Sequence, residues 1–166
     1  MDERGRSFEV RNYRRDYKIV YNIYMIKLWT DGSASPNPGP GGFAVILEEN
    51  GKGRPVALGR EEKSSNIRME GWAILAAMKG AKGRECEIHT DSEFWVNVIT
   101  KWMNGWAEKG WTKPRGEIKN LDIVQEIYRA YDEKTVKMVW EKGHAGINLN
   151  EMADEWANKA REGATI

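Results

Sequence analysis

Hydrophobic positions along the chain change their period repeatedly, and each change marks a predicted element. Ile26 to Asp31 (IKLWTD) reads as a short strand that runs into SASPNPGPGG, a Pro/Gly stretch expected to form a loop and to join neither a helix nor a central strand. Phe43 to Leu47 is apolar and β-rich, Asn50-Gly51 is a hairpin signal, and Arg54 to Glu62 is the return strand. Met69, Trp72, Ala73, Ala76 and Ala77 recur at helical spacing, with Gly80 and Gly83 ending that helix. Glu85 to Thr90 alternates like a strand and stops at Asp91-Ser92, a helix-start signal. Trp95, Val98, Ile99, Trp102 and Trp106 form the next helical stripe, broken by Gly105 and Gly110, and Pro114 to Gly116 makes a loop. Leu121 to Tyr131 predicts another amphipathic helix, Thr135 to Lys142 a strand, Gly143 to Asn150 a loop, and Glu151 to Glu162 a last helix.

The predicted order is β-β-β-α-β-α-α-β-α. Three consecutive strands make an antiparallel meander, and two later strands arriving through helices add in parallel, giving an α/β fold with a five-stranded mixed sheet flanked by helices. Residues 1–24 stand apart: charges of both signs alternate without an amphipathic period, and only Tyr17 to Tyr24 is strand-competent. The predicted organisation is an N-terminal arm, 1–24, and one domain, 25–166.

Composition narrows the function classes. In a chain of 166 residues, 26 Lys and Arg balance 25 Asp and Glu, so a nucleic-acid partner must be met by local positive charge and not by the whole body. The single cysteine, Cys86, excludes a disulfide framework and a Cys-rich zinc module. Two histidines, His89 and His144, are too few and too far apart for a His-based zinc site. No apolar run approaches the roughly 20 residues that span a bilayer, and the charged start lacks the apolar stretch of a signal peptide, so the expected location is cytoplasmic.

Four acids share an unusual placement. Asp31 ends the first predicted strand and Asp91 ends the strand at Glu85–Thr90, and function gathers at the carboxyl ends of strands in open mixed sheets. Glu70 is expected in the first turn of its helix beside the sheet-facing side, and Asp154 near the start of the last helix next to Ala153. Taken singly, each is more readily a solvated charge or a cap; Asp91 could simply cap its helix. Together they would repel if they converged, since one like-charged pair about 4 Å apart costs about 4 kcal/mol at an effective dielectric near 20. Two divalent cations would offset that repulsion, and oxygen-only ligands select Mg²⁺ or Mn²⁺ over zinc.

Those acids sit in blocks that carry a resemblance. TDGSASPNPGPGGFA at Thr30–Ala44, RMEGWA at Arg68–Ala73, TDS at Thr90–Ser92, and KGHAG with EMADEWA at Lys142–Gly146 and Glu151–Ala157 resemble ribonuclease H of the bacterial type 1 class, from about Met25 to Gly163. The resemblance implies an Asp-Glu-Asp-Asp site that hydrolyses the RNA strand of RNA·DNA hybrids with two Mg²⁺ ions, Mn²⁺ substituting, and leaves 3′-hydroxyl and 5′-phosphate ends. Asp31 would bridge both ions, Glu70 and Asp91 would complete one, and Asp154 would hold the other. His144, in its Gly-rich loop, would assist proton transfer or product departure, for which an ordinary imidazole pKa of about 6.5 is suited. His89 has the strand parity of Asp91 but matches no family role and is expected to be a bystander.

Substrate contacts follow from the same resemblance. Asn37 and Asn66 match residues that reach the minor groove or backbone, and Lys63 and Ser65 sit where the family places a DNA-phosphate pocket. Lys101 to Lys119 (KWMNGWAEKGWTKPRGEIK) resembles the family's basic helical protrusion, with Lys109 and Lys113 as phosphate contacts. Trp102 and Trp106 continue the stripe from Trp95 and are expected at the protrusion's base, with Trp102 also a candidate contact; Trp111, after a glycine break, is the stronger candidate for a sugar. The chain departs from the family at Ile67, which replaces a second asparagine and weakens that groove contact, at Glu93, a fifth nearby carboxylate, and at Ile147 to Leu149, a less polar run. The partner is expected to be the hybrid duplex, with no membrane and no obligate protein, the chain acting as a monomer. Two other readings are a DNA nuclease of related fold (resolvase or integrase type), which would lack a Trp-rich protrusion here, and a non-catalytic hybrid-binding module, which would gain nothing from clustered acids near phosphate.

Overall fold

The computed structural model describes residues 25–142 and 148–166. Its elements are β1 (Ile26–Ala34), β2 (Gly39–Glu49), β3 (Lys52–Ser64), α1 (Asn66–Ala81), β4 (Cys86–Thr90), α2 (Glu93–Asn97), α3 (Met103–Glu108), α4 (Leu121–Ala130), β5 (Val136–Trp140) and α5 (Asn148–Arg161), with a π turn at Val98–Trp102 joining α2 to α3. The strands form one sheet in the order β3-β2-β1-β4-β5. β1, β2 and β3 pair antiparallel, while β4 joins β1 and β5 joins β4 in parallel, as the element order predicts.

Alternating side chains separate two layers. Leu28, Val45 and Ile88 face α1, α2 and α4 in the larger core, whereas Trp29 and Ile46 face α5 with Leu149 and Ala153. Two glycines set the spacing of these layers. A Cβ on Gly32 would lie 2.2 Å from the Met69 carbonyl carbon and 2.3 Å from the Glu70 nitrogen, and one on Gly42 would lie 2.2 Å from the Arg161 nitrogen. Only hydrogen fits at either place, so α1 and α5 ride directly on β1 and β2 from opposite sides.

The expectation that the Pro/Gly stretch joins no central strand is overturned. Gly32, Ser33 and Ala34 continue β1, and β2 begins at Gly39, leaving only residues 35–38 as the connection. The glycines belong to the sheet because helices crowd it there: a Cβ on Gly41 would lie 2.6 Å from Met69 Cγ. Pro40, which lacks an N–H, falls where the β2–β3 register shifts between Gly39 and Gly41. A second difference concerns the tryptophan stripe. The π turn advances the buried face from Val98 and Ile99 to Met103 and leaves Trp102 41% exposed, with its ring still meeting Phe94 edge-on at 6.4 Å and Trp106 at 6.1 Å between centroids. Helix starts also move: α1 begins at Asn66 and α5 at Asn148, which puts Glu70 and Asp154 beyond the first turn.

A carboxylate centre at the ends of β1 and β4

The parallel ladder between β1 and β4 ends with Trp29 opposite His89. Two residues further along each strand, on the same face, come Asp31 and Asp91. The pairing below them is fixed by side chains. The Thr30 hydroxyl donates to the His89 carbonyl at 2.9 Å, and the Trp29 and His89 rings stack with centroids 4.0 Å apart and planes 16° from parallel. His89 places Nδ1 2.6 Å from Glu141 and Nε2 3.1 Å from Glu87, so it ties β4 to β5 beneath the centre.

Glu70 comes from the opposite layer. The close approach at Gly32 brings its helix to the strand end, and Arg68 holds that helix by pairing with Glu61 of β3 at 3.2 Å and Asp122 of α4 at 3.0 Å. Asp31, Glu70 and Asp91 each offer an oxygen within 4.8 Å of the other two. Asp154 projects its charge toward the same place from α5, since it helps to raise the Asp31 pKa.

The electrostatics are those of a cation site. Burial, followed by the charges of Asp91, Asp154 and Glu70, pushes Asp31 from its ordinary 3.8 to about 9, although the Gly32 N–H donates to Oδ1 at 2.8 Å and opposes the rise. Burial and then Asp91 push Glu70 up to about 8, opposed by a hydrogen bond with the Ser92 side chain. Ser92 therefore does two things: it caps α2 by accepting from Trp95 N–H at 3.2 Å, and it supports the charged form of Glu70. Carboxylates gathered at this density suit a hard divalent cation with oxygen ligands.

The other expected site residues lie around this centre. Asn66 accepts from Ala34 N–H at 2.7 Å and its own N–H donates to the Asn37 side-chain oxygen at 3.1 Å, so the two asparagines lock the β1–β2 connection to the start of α1. Ser65 is the N-cap of α1, accepting from Arg68 N–H at 3.1 Å, and Lys63 is exposed beside it. Lys109, the C-cap of α3, and Lys113, in the loop that follows, are both exposed. Trp111, at φ 65°, packs edge-on against Tyr128 with centroids 5.2 Å apart, while Trp102 is the open indole of the protrusion. Glu93 is exposed in the first turn of α2 and is not among the three gathered acids. His144 and Ile147 lie outside the described residues. Ser33, Asn158 and Arg161, which meet beside Asp31, were not predicted; the i, i+4, i+7 spacing of Asp154, Asn158 and Arg161 is the signal that would have found them.

An α/β sheet with acids converging just beyond the end of its parallel β1–β4 ladder defines a metal-dependent class of hydrolase. Comparison with known proteins supplies the family. The RNase H family model matches residues 24–162. The chain is 38% identical over 141 residues to the ribonuclease H of Acidiphilium cryptum, covering 83% of this chain and 87% of that protein. It is 36% identical over 147 residues to the ribonuclease H of Escherichia coli, covering 87% and 94%. Among solved structures it is similar to LC9-RNase H1, described as a type 1 RNase H with the type 2 active-site motif, at TM-score 0.73 and 31% identity over 85% of this chain and 74% of that one. The chain belongs to the ribonuclease H family. It is a metal-dependent endonuclease of that family, and the resemblance carried by its four motif blocks is borne out.

Proposed function

We propose that this protein cuts the RNA strand of RNA·DNA hybrids at the Asp31–Glu70–Asp91–Asp154 centre with two Mg²⁺ ions, Mn²⁺ substituting, and leaves 3′-hydroxyl and 5′-phosphate ends. The observation that carries this reading is the convergence of Asp31, Glu70 and Asp91 within 4.8 Å, against both desolvation and mutual repulsion. When bound, the cations supply Lewis-acid activation of water and neutralise charge on the departing oxygen. Asp31, the acid whose charge couples to the other three, is suited to bridge the two ions. Glu70 and Asp91, which share a hydrogen bond, would hold one ion with Asp31, and Asp154 from α5 would hold the other. His144 is assigned to proton transfer or product departure on its motif alone.

Asn37 and Asn66 would hold the hybrid through their amide N–H₂ groups, because both side-chain oxygens already accept from backbone. Lys63 and Ser65 would take a DNA phosphate. Trp102, Lys109 and Lys113 would meet the DNA backbone, with Trp111 supporting them from Tyr128. All four acids belong to this chain, so a monomer suffices. A cytoplasmic setting agrees with one buried free thiol, Cys86.

Cleavage of end-labelled RNA·DNA, RNA·RNA and DNA·DNA duplexes, with and without EDTA, tests the proposal. Cutting confined to the RNA of the hybrid, abolished by EDTA and by Asp31→Asn, is expected. Equal cutting of duplex DNA, or full activity in Asp31→Asn, would overturn it.

A further inference from the structure

Beside the carboxylate centre the structure holds a guanidinium whose orientation is fixed but whose charge meets no carboxylate among the described residues. Arg161, in the last turn of α5, donates through Nη1 to Ser33 Oγ at 2.5 Å and to Asn158 Oδ1 at 2.6 Å. Ser33 in turn donates to Asn158 Oδ1 at 2.8 Å, so the three side chains form a closed neutral cradle spanning β1 and α5. Both Nη1 hydrogens are occupied there. The Nε–Nη2 edge, the side that forks onto two oxygens of one anion, has no acceptor among the described residues. Among the described residues Arg54, Arg60, Arg68 and Arg129 each meet a carboxylate, whereas Arg84, Arg115 and Arg161 do not, and of these three Arg161 is the one held by other side chains.

Position gives this edge a purpose. Ser33 is two strand residues beyond Asp31 on the same face, about 7 Å along β1. Asp154, Asn158 and Arg161 follow one another at i, i+4 and i+7 on α5, so a polar stripe leads from the centre to the guanidinium, about 10 Å along the helix. Arg60, whose Nε donates to the Arg161 carbonyl at 2.9 Å, secures the end of α5 from β3. The backbone that crosses Asp31 and Asp154 must pass this stripe next. The exposed lysines of the protrusion lie with α3, on the opposite layer of the sheet.

We propose that Arg161 is a phosphate-binding residue for the strand being cut, gripping a phosphodiester of the RNA within a few nucleotide steps of the scissile bond, with Ser33 and Asn158 as its positioning residues. The inference rests on the hybrid-cleaving function proposed above. It separates two grips: the protrusion holds the DNA strand, and the β1–α5 edge holds the RNA.

Arg161→Gln keeps an amide that can donate to the cradle while removing the charge; Arg161→Lys keeps the charge without the fork. For Arg161→Gln we expect hybrid binding in EDTA to weaken about tenfold. The slope of log affinity against log salt should become shallower by about 0.7–0.9. KM should rise with kcat nearly unchanged, and the melting temperature should hold. Arg161→Lys should restore the slope but not the affinity. A single neutral methylphosphonate, moved along the RNA strand, should weaken binding of the parent protein at one position and leave Arg161→Gln indifferent there. A parental slope and affinity in Arg161→Gln, a lowered melting temperature as its only effect, or a methylphosphonate response confined to the DNA strand would overturn the assignment. The parent protein would still cut hybrids in each of those cases, so the failure is separable from failure of the function itself.

Discussion

Asp31 is 4% exposed and surrounded by like charge, which makes its ionisation a cost to the fold whenever no cation is present. Between the ordinary carboxylate values near 4 and the raised values of about 9 for Asp31 and 8 for Glu70, the folded metal-free chain retains protons that the unfolded chain has released. Metal-free stability is therefore complete below the lower value and falls as pH rises through this window. Asp31→Asn removes the largest part of that cost. Each tenfold change in proton affinity corresponds to about 1.4 kcal/mol, so this variant should be more stable than the parent by a few kcal/mol in EDTA at about pH 8, and equally stable near pH 4, while cutting nothing. Urea titrations at the two pH values check it; a parent whose metal-free stability is flat across the window would refute the linkage. Divalent cations compete with the same protons, so their affinity should climb between about pH 7 and 9. Ser92 offers a gentler probe. Ser92→Ala should lose about 1 kcal/mol from the α2 cap and, with the bond to Glu70 gone, move the acid limb of the pH–rate profile upward, whereas Ser92→Thr should restore both.

Elements bring these residues together by close approach, and here the legibility of the sequence divides. Strand and helix periods place Asp31, Glu70 and Asp91 in the right elements, although β1 runs on past Asp31 to Ala34 and Glu70 lies beyond the first turn of α1, and alternation alone puts Asp31 and Asp91 on a common face. The extent of β2 was hidden, since Gly41 and Gly42 read as loop residues until the helices that exclude their side chains are in place. The π turn was hidden too: a shift of the hydrogen-bonding register leaves no compositional mark, and it decides that Trp102 and not Trp111 is the open indole. The Ser33–Arg161 contact joins residues 128 positions apart and exists only once α5 lies on β1. Gly32→Ala tests the close approach. Its Cβ would meet backbone atoms of Met69 and Glu70 that cannot turn aside, so α1 must lift. We expect a loss on the order of 3 kcal/mol, read by thermal melting, and a higher Mg²⁺ requirement for cleavage because Glu70 moves with the helix. A variant with parental melting and parental metal dependence would mean that the contact is not what places Glu70.

At the scale of the whole molecule, 26 basic and 25 acidic side chains leave almost no net attraction for a polyanion, so affinity depends on where cations stand unpaired. Several are consumed internally, as Arg68 is by Glu61 and Asp122 and Arg60 by Glu62. Lys101, Lys109, Lys113, Arg115 and Lys119 are all exposed on the protrusion, and none meets a carboxylate among the described residues. Each that neutralises a phosphate should add about 0.7–0.9 to the salt slope of hybrid binding. Lys109→Ala with Lys113→Ala should therefore remove about twice that, and should act additively with Arg161→Gln because the two surfaces grip different strands. The N-terminal arm poses the same question. Its six cations, Arg4, Arg6, Arg11, Arg14, Arg15 and Lys18, slightly outnumber its acids, and it ends where the family match begins, at residue 24. We propose that residues 25–166 are the folding and catalytic unit and that the arm adds nonspecific phosphate contacts. A chain beginning at Met25 should melt as the parent does and keep its kcat, but bind hybrid with a salt slope shallower by about one unit. An unchanged slope would remove the arm from substrate binding, and a lower melting temperature would show that the folding unit extends N-terminal to β1.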